Sequence, residues 1–398
     1  MNRRYQANRP LRCYAEGFEE ELYVLGFSEE RIALHIQLLG DLGQWLSDEG
    51  LGASELTQSR VEEFMAARRG SGHRELVTSK GSAPLLEYLR SLGAVPPAVR
   101  PAPDGPVEEL VERYRDYLTS ERGLADRVVL AYVAEVVHFA RHLAGAESID
   151  WATVSTADVS QFVIEVCRRG RVPANLLAAL RSFLRFVQLE GLVDVPLAAS
   201  VPSVAQWGGA SLPRRLEPGE VRRLLASCDR RTVGGRRDYA VLLMLVRLGL
   251  RAGEVARMQL GDIDWRAGEL VVRGKGPREE KLPLPVDVGK ALADYLAHGR
   301  PKTGSRDVFV RLQAPWRGFM PTAVTALVYS ACARAGLTRV SAHVLRHTAA
   351  TELLRAGASL GEVGQVLRQR TPSATAIYAK VDHASLRPLA RQWPGGAA

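Results

Sequence analysis

The residues able to do chemistry lie late in the chain. Arg251 stands in GLRAGE (249–254), Lys275 in a GKG turn (274–276), His343 and Arg346 in HVLRH (343–347), and Tyr378 in IYAK (377–380). Planar guanidinium groups suit the non-bridging oxygens of a phosphate, because each donates a fork of paired hydrogen bonds. A tyrosine hydroxyl can attack phosphorus, and a lysine or histidine can move the proton that a leaving oxygen needs. The set therefore contains what breaking a phosphodiester with a protein nucleophile requires: an attacking group, cations to hold the developing charge, and an acid. A tyrosine pKa of about 10 puts the phenolate about 4 kcal/mol out of reach in neutral water, so neighbouring cations must reduce that cost.

Each residue also has an ordinary reading when taken alone. Arg251 can be a helix-end cation facing unpaired carbonyls. Lys275 can be an exposed turn lysine, since its flanks do not complete a GxxxxGKS/T phosphate loop. His343 can be a satisfied core histidine and Tyr378 a packing aromatic. His343 and His347 are spaced i, i+4, but HVLRH lacks the glutamate of HExxH and no third ligand has suitable spacing, so no metal is expected. Glu254 is read either as a partner that holds Arg251 in place or as a solvated helix glutamate.

The elements that must position these residues are mostly helices. Helical periodicity runs through EPGEVRRLLASC and RRDYAVLLMLVRLGLRAGEVARM (236–258). It gives way to three short extended runs, DIDW (262–265), ELVVRG (269–274) and EKLPLP (280–285), which predict a three-stranded antiparallel sheet. Helical spacing then returns toward the C-terminus. Upstream lies a degenerate repeat with an offset of about 98 residues, a length suited to duplicated domains. It pairs Leu42 with Phe139, Leu46 with Leu143, Tyr88 with Phe186 and Gly93 with Gly191. Ser155 and Asp158 form a plausible capping box in the second copy. Proline-rich VPPAVRPAPDGP (95–106) and the stretch 195–220 read as linkers. The expected organisation is a helical module at 1–95, a second at 106–195, and a third domain at 212–398 with its C-terminal tail.

At 398 residues with 46% hydrophobic and 24% charged residues, the chain can bury ordinary cores. No stretch approaches a membrane span and the N-terminus lacks the apolar block of a signal peptide, so a cytoplasmic protein is expected. Four scattered cysteines, with no CxxC pair, suggest neither a zinc knuckle nor a disulfide framework. The net charge of +9 points toward polyanions, although an arginine skew can also reflect a GC-rich gene. Arginine pairs at Arg214 and Arg215, Arg222 and Arg223, Arg230 and Arg231, and Arg236 and Arg237 are candidates to follow a nucleic-acid backbone, or simply a solvated helix face.

Taken in order, the GLR arginine with a glutamate three residues on, the lysine between strands, HxxR and the late tyrosine resemble the tyrosine recombinase (phage integrase) family over about 212–385. The second module resembles that family's core-binding, SAM-like domain. The resemblance implies a mainly α fold: two tandem helical bundles, then a mostly helical catalytic domain with a small three-stranded antiparallel sheet. It implies a site-specific DNA recombinase of a mobile element, integrase or transposase-like, that cleaves and rejoins DNA through a 3′-phosphotyrosine on Tyr378. Arg251 and Arg346 would clamp the phosphate, Lys275 would protonate the departing 5′ oxygen, and His343 would assist proton transfer. The covalent bond conserves the phosphodiester energy, so neither a cofactor nor a metal is implied. Its partners would be double-stranded DNA and three further copies of the chain, four protomers across two sites on the nucleoid, with or without a partner recombinase. One position departs from the pattern: nine residues before the tyrosine, where the family commonly has histidine or tryptophan, stands Gln369. Glutamine can donate a hydrogen bond to a phosphate oxygen but cannot titrate near neutrality. That departure motivates a second reading, a catalytically silent or weak DNA-binding accessory paralogue. A type IB topoisomerase shares the chemistry, but the paired helical modules favour a recombinase. The first module reads either as an extra DNA-binding domain or as a duplicated fold used for protein contacts.

Overall fold

The computed structural model describes residues 10–98, 103–144, 149–169, 175–202, 215–274 and 279–369. Lys275, Tyr378 and Arg214 lie outside these segments. The described residues fall into two compact units, the second helical module by itself and the first and third modules together.

The first module comprises α1 (Ala15–Val24), α2 (Glu29–Asp48), α3 (Gln58–Gly70) and α4 (Ser79–Ser91). Its longest helix, α2, turns Ile32, Leu38, Leu39, Leu42 and Leu46 inward, the spacing of a helix with one buried face. The second module repeats the plan with α5 (Pro106–Asp116), α6 (Asp126–Ala144), α7 (Thr156–Arg168) and α8 (Leu176–Leu189). Of the paired positions, Leu42 and Phe139 are both buried, whereas Leu46 is buried and Leu143 lies at the core margin, and Phe186 is buried and Tyr88 lies at the margin. Gly93 and Gly191 follow corresponding helices with φ of +67° and +70°, the left-handed stop that favours glycine. The Ser155 and Asp158 capping box forms, the Asp158 carboxylate accepting from the Ser155 backbone N–H at 2.9 Å.

The third module is built around one helix. It contains α9 (Pro218–Ala226), α10 (Val233–Arg247) and α11 (Ala252–Ala256), then β1 (Ile263–Asp264), β2 (Glu269–Arg273) and β3 (Glu279–Pro283). It continues with α12 (Val286–His298), α13 (Pro321–Arg334), α14 (Ala342–Arg355) and α15 (Leu360–Val366). Every residue of α10 from Ala240 to Val246 is buried. A helix apolar on all sides belongs at the centre of a domain, and α10 packs against α9, α11, α12, α13 and α14. The sheet is antiparallel in the order β1-β2-β3, with Ile263 opposite Leu270 and Leu270 opposite Leu282. Leu270 and Val272 face the core while their neighbours point outward, the alternation of a half-buried strand. Cys228 and Cys332 pack in the core, whereas Cys13 and Cys167 are exposed. No helix among the described residues is long and apolar enough to cross a membrane.

Sequence periodicity gives no hint that the first module rests on the third. The N–H of Trp316 donates to the carbonyl of Leu25 at 2.8 Å, and Arg317 forms an ion pair with Glu87. Gly26, at φ +79°, lies so close to the Trp316 ring that a Cβ there would be 2.1 Å from Cε2. Only glycine satisfies both that backbone and that approach.

The first module also contains a buried histidine. Burial, assisted by the charge of Arg31, lowers the pKa of His35 to about 4, so its ring is neutral at pH 7. The unfolded ring binds its proton near pH 6.5, so stability is greatest above that value and is lost as the pH falls from about 6.5 toward about 4. The expected loss is on the order of 3 kcal/mol at most. Denaturant melts across that range should show it, and His35→Gln should flatten the slope. A parental protein with no such slope would contradict the buried neutral ring.

Candidate active site

The site is assembled where α10 ends. Gly249 has φ +58°, and a Cβ on it would fall 2.5 Å from the Leu367 side chain and 3.4 Å from that of Ala349. The glycine therefore lets the chain turn sharply while the 367–369 segment packs over it. Two residues later Arg251 occupies the N-cap position of α11. Its backbone N–H and its Nη1 both donate to the Glu254 carboxylate, at 2.8 and 2.7 Å. The Glu254 carboxylate thus lies against Arg251 rather than in solvent. Its side chain is 3% exposed, whereas that of Arg251 is 49% exposed. A buried carboxylate thus holds a guanidinium whose other face stays open.

Glu254 has a second cation that sequence reasoning missed. Arg368 donates from Nη2 to Oε2 of that carboxylate at 2.9 Å, the oxygen that also accepts the Arg251 backbone N–H, with both side chains almost fully buried. Burial opposes ionisation of Glu254, but the Arg368 charge and the hydrogen bonds from Arg251 outweigh it and hold the carboxyl below its ordinary range. Arg368 reaches this position from a left-handed backbone, φ +53°, a conformation uncommon for a residue other than glycine. Such strain is stored where surrounding contacts compel it, and here the ion pair with Glu254 is that contact.

Arg346 approaches from α14 and is 2% exposed. Its Nη1 donates to the carbonyl of Gly249 at 2.6 Å and its Nη2 to the carbonyl of Leu367. Arg251 Nη2 lies 3.5 Å from the next carbonyl, that of Arg368. Two guanidinium groups from distant segments therefore converge on one turn. Gln369 closes that turn by donating its backbone N–H to the Gly364 carbonyl at 3.0 Å.

His343 lies one helical turn before Arg346 on α14. Desolvation, then the charges of Arg346 and Arg251, lower its pKa. Spaced i, i+3 from Arg346, the imidazole shares its face of α14. Its ring stacks edge-on against His347, with centroids 4.3 Å apart. Burial, His343 and Arg346 lower His347 to about 4. Both rings are neutral at pH 7, and a neutral imidazole can accept a proton as well as donate a hydrogen bond. Among the described residues no group of three or more metal-ligating side chains is present.

Arg251, His343, Arg346 and Gln369 are thus brought together, while Lys275 and Tyr378 lie outside the described residues. Residues 275–278 fall between β2 and β3, whose facing ends are joined by Arg273 pairing with Glu279 at 3.0 Å. The matches with known proteins fall on the same parts of the chain. Residues 214–385 match the phage integrase family, and residues 111–191 match the N-terminal SAM-like domain of phage integrases. A putative integrase/recombinase, y4rA, of Sinorhizobium fredii is 39% identical over 98% of this chain and 96% of its own length. The chain belongs to the phage integrase family of tyrosine recombinases.

Other relatives of this recombinase delimit the shared part. Tyrosine recombinase XerD of Mycobacterium tuberculosis is 32% identical and covers 72% of this chain and 96% of its own length. In fold, a transposon integrase in complex with a circular-intermediate DNA matches with a TM-score of 0.55 at 14% identity, over 71% of this chain and 99% of the other. A lambda integrase tetramer bound to a Holliday junction matches with a TM-score of 0.53 at 17% identity, over 73% of this chain and 80% of the other. The recombinase is accordingly an enzyme that breaks and rejoins DNA, and its fold is mainly helical with one small antiparallel sheet.

The arginine pairs occupy several environments. Arg236 binds Asp294 at 3.4 Å and the Arg230 carbonyl at 2.8 Å. Arg237 binds Asp238 at 2.9 Å and lies over the Phe319 ring. Arg215 pairs with Glu217 at 3.0 Å. Arg222 and Arg223, on α9, are exposed.

Proposed function

We propose that this recombinase carries out site-specific exchange for a mobile element through a 3′-phosphotyrosine on Tyr378. The observation that supports this reading most is the convergence of Arg251 and Arg346 on the 367–369 turn, beside the neutral ring of His343. A scissile phosphate held there would meet two guanidinium forks that compensate the charge gained as the tyrosine oxygen attacks. The Tyr378 hydroxyl gives its proton to the neutral His343 ring as its oxygen bonds to phosphorus and the bond to the 5′ oxygen breaks, and Lys275 supplies the proton to that leaving oxygen. Reversal, by a 5′ hydroxyl of the partner strand, releases the tyrosine and reseals DNA without an external energy source. Gln369 would take a neutral hydrogen-bonding role at the phosphate, leaving charge compensation to the arginines.

Around this site we assign the boundaries 1–95, 106–195 and 212–398. The second and third domains engage duplex DNA, with Arg214, Arg215, Arg222 and Arg223 contributing affinity along its backbone. The tetramer seen for the lambda integrase suggests four copies across two sites.

A nicked suicide duplex tests the reading. The parental protein should form a covalent protein–DNA adduct, and Tyr378→Phe should abolish it while retaining duplex binding. Tight binding by the parental protein with no adduct would support the silent accessory reading instead.

A further inference from the structure

The seam between the first module and the third domain encloses a cavity of about 500 Å³, within the range of small-molecule sites. The family matches span 111–191 and 214–385, and the first module, which forms one wall of this cavity, precedes both. Five cations line it, Arg31, Arg74, Lys80, Arg311 and Arg317, against one carboxylate, Glu87. Glu87 is engaged by Arg317, and Arg31 is paired at 2.9 Å with Glu75. Arg74, Lys80 and Arg311 have no carboxylate within ion-pair distance among the described residues, and all three are exposed. A concentration of like charge in a concave site raises the local potential for an anion.

Two further features point the same way. The first turn of α4 opens onto the cavity, with Thr78, Lys80 and Gly81 among the lining residues. Thr78 accepts from the Gly81 N–H at 3.2 Å, and the remaining first-turn donors add the partial positive charge of a helix start. Independently, His35 lines the cavity, is 2% exposed, and has an Nδ1 with no hydrogen-bond partner. A buried polar atom left unpaired costs about 1–3 kcal/mol, so its persistence at a cationic cavity calls for an acceptor or donor that a ligand would bring. Phe27 and Pro315 provide an apolar wall beside it.

We propose that this seam cavity binds a phosphate group, so that the first module and the catalytic domain are held together on a shared anion. Phosphate is favoured over a carboxylate because its oxygens are arranged tetrahedrally, so cations and a helix start can approach it from different sides. Two sources carry that chemistry, the backbone of a DNA strand and a free nucleotide. The site lies outside the Arg251 and Arg346 cluster, and the inference does not depend on strand cleavage.

The test uses the full-length protein and inorganic phosphate, titrated at constant ionic strength with chloride as balance, by calorimetry or by thermal melting. Saturable binding is expected in the parental protein and in the control Lys290→Gln, whose lysine is exposed on α12. The double variant Lys80→Gln with Arg311→Gln should weaken it by roughly tenfold or more. Both altered residues are exposed, so the variant is expected to fold, which its melting curve without phosphate verifies. No saturable binding in the parental protein, or equal binding in the double variant, overturns the proposal.

The source is then resolved with adenosine monophosphate and with a duplex of arbitrary sequence. If the ligand is DNA, the double variant binds the duplex more weakly and its log K against log salt flattens by about two. If the ligand is a free nucleotide, adenosine monophosphate displaces phosphate and duplex affinity is unchanged. Neither response would also overturn the proposal. Performed with Tyr378→Phe protein, the measurements give the same result whether or not the cleavage mechanism holds.

Discussion

Arg346→Lys should slow covalent adduct formation on a nicked duplex by on the order of 10²–10³-fold, the scale of losing one preorganised donor at a developing charge. Duplex affinity should change far less, because backbone contacts elsewhere carry most of it. The reason lies in geometry. Arg346 uses one guanidinium to join the carbonyls of Gly249 and Leu367, which fixes the end of α10 against the turn that precedes Gln369. An ammonium keeps the charge but is a point donor without a planar fork. It cannot reproduce that bridge and at the same time present a fork to a phosphate. Lysine is the informative replacement, since alanine would leave two buried carbonyls without this donor, at about 1–3 kcal/mol each, and would confuse misfolding with lost catalysis. Single-turnover kinetics at saturating protein separate the two effects. Cleavage at the parental rate would show that Arg346 is structural only.

The contrast between what could and could not be read from the sequence follows the range of the interactions involved. The three strands were legible because alternation and turns are local, and Leu270 and Val272 face the core as that pattern requires. Gly93 and Gly191 were legible as helix stops for the same reason. The pairing of Arg251 with Glu254 spans one helical turn, so spacing suggested it, although spacing alone could not tell a buried carboxylate from a solvated one. Arg368 left no such signal. Its role depends on a left-handed backbone at a non-glycine residue and on an approach between positions 254 and 368. The seam of Gly26 with Trp316 is equally nonlocal, and nothing periodic marks it. The arginine pairs show the converse limit. Charge density in sequence cannot reveal that Asp294, from α12, pairs with Arg236 while Arg222 and Arg223 stay exposed.

Glu254→Gln is expected to lower stability by about 3 kcal/mol or more, because it leaves the buried Arg368 guanidinium without its counter-charge. The parental carboxylate is shared between Arg251 and Arg368, and its pKa is held down by them. A carboxyl with a depressed folded pKa contributes stability above its unfolded pKa and loses it as the pH falls through the folded one. The parental protein should therefore lose this contribution only in acid, whereas the glutamine variant lacks it at neutral pH as well. Glutamine can still accept one hydrogen bond through its amide oxygen, but it supplies no charge and cannot serve both guanidinium groups as acceptor with two equivalent oxygens. A second consequence is catalytic. Arg251 loses the contact that aims it, so cleavage by the folded fraction should fall even at temperatures where the variant remains native. The cycle with Arg368→Met separates these effects. Replacing both members of a buried pair by apolar or neutral groups removes the uncompensated charge, so Glu254→Met with Arg368→Met should recover much of the stability that Glu254→Gln loses. The double variant should nonetheless remain slow in cleavage, because Arg251 still lacks its anchor. Recovery of both stability and cleavage would instead mean that Glu254 serves Arg368 alone and that Arg251 finds its orientation from the phosphate.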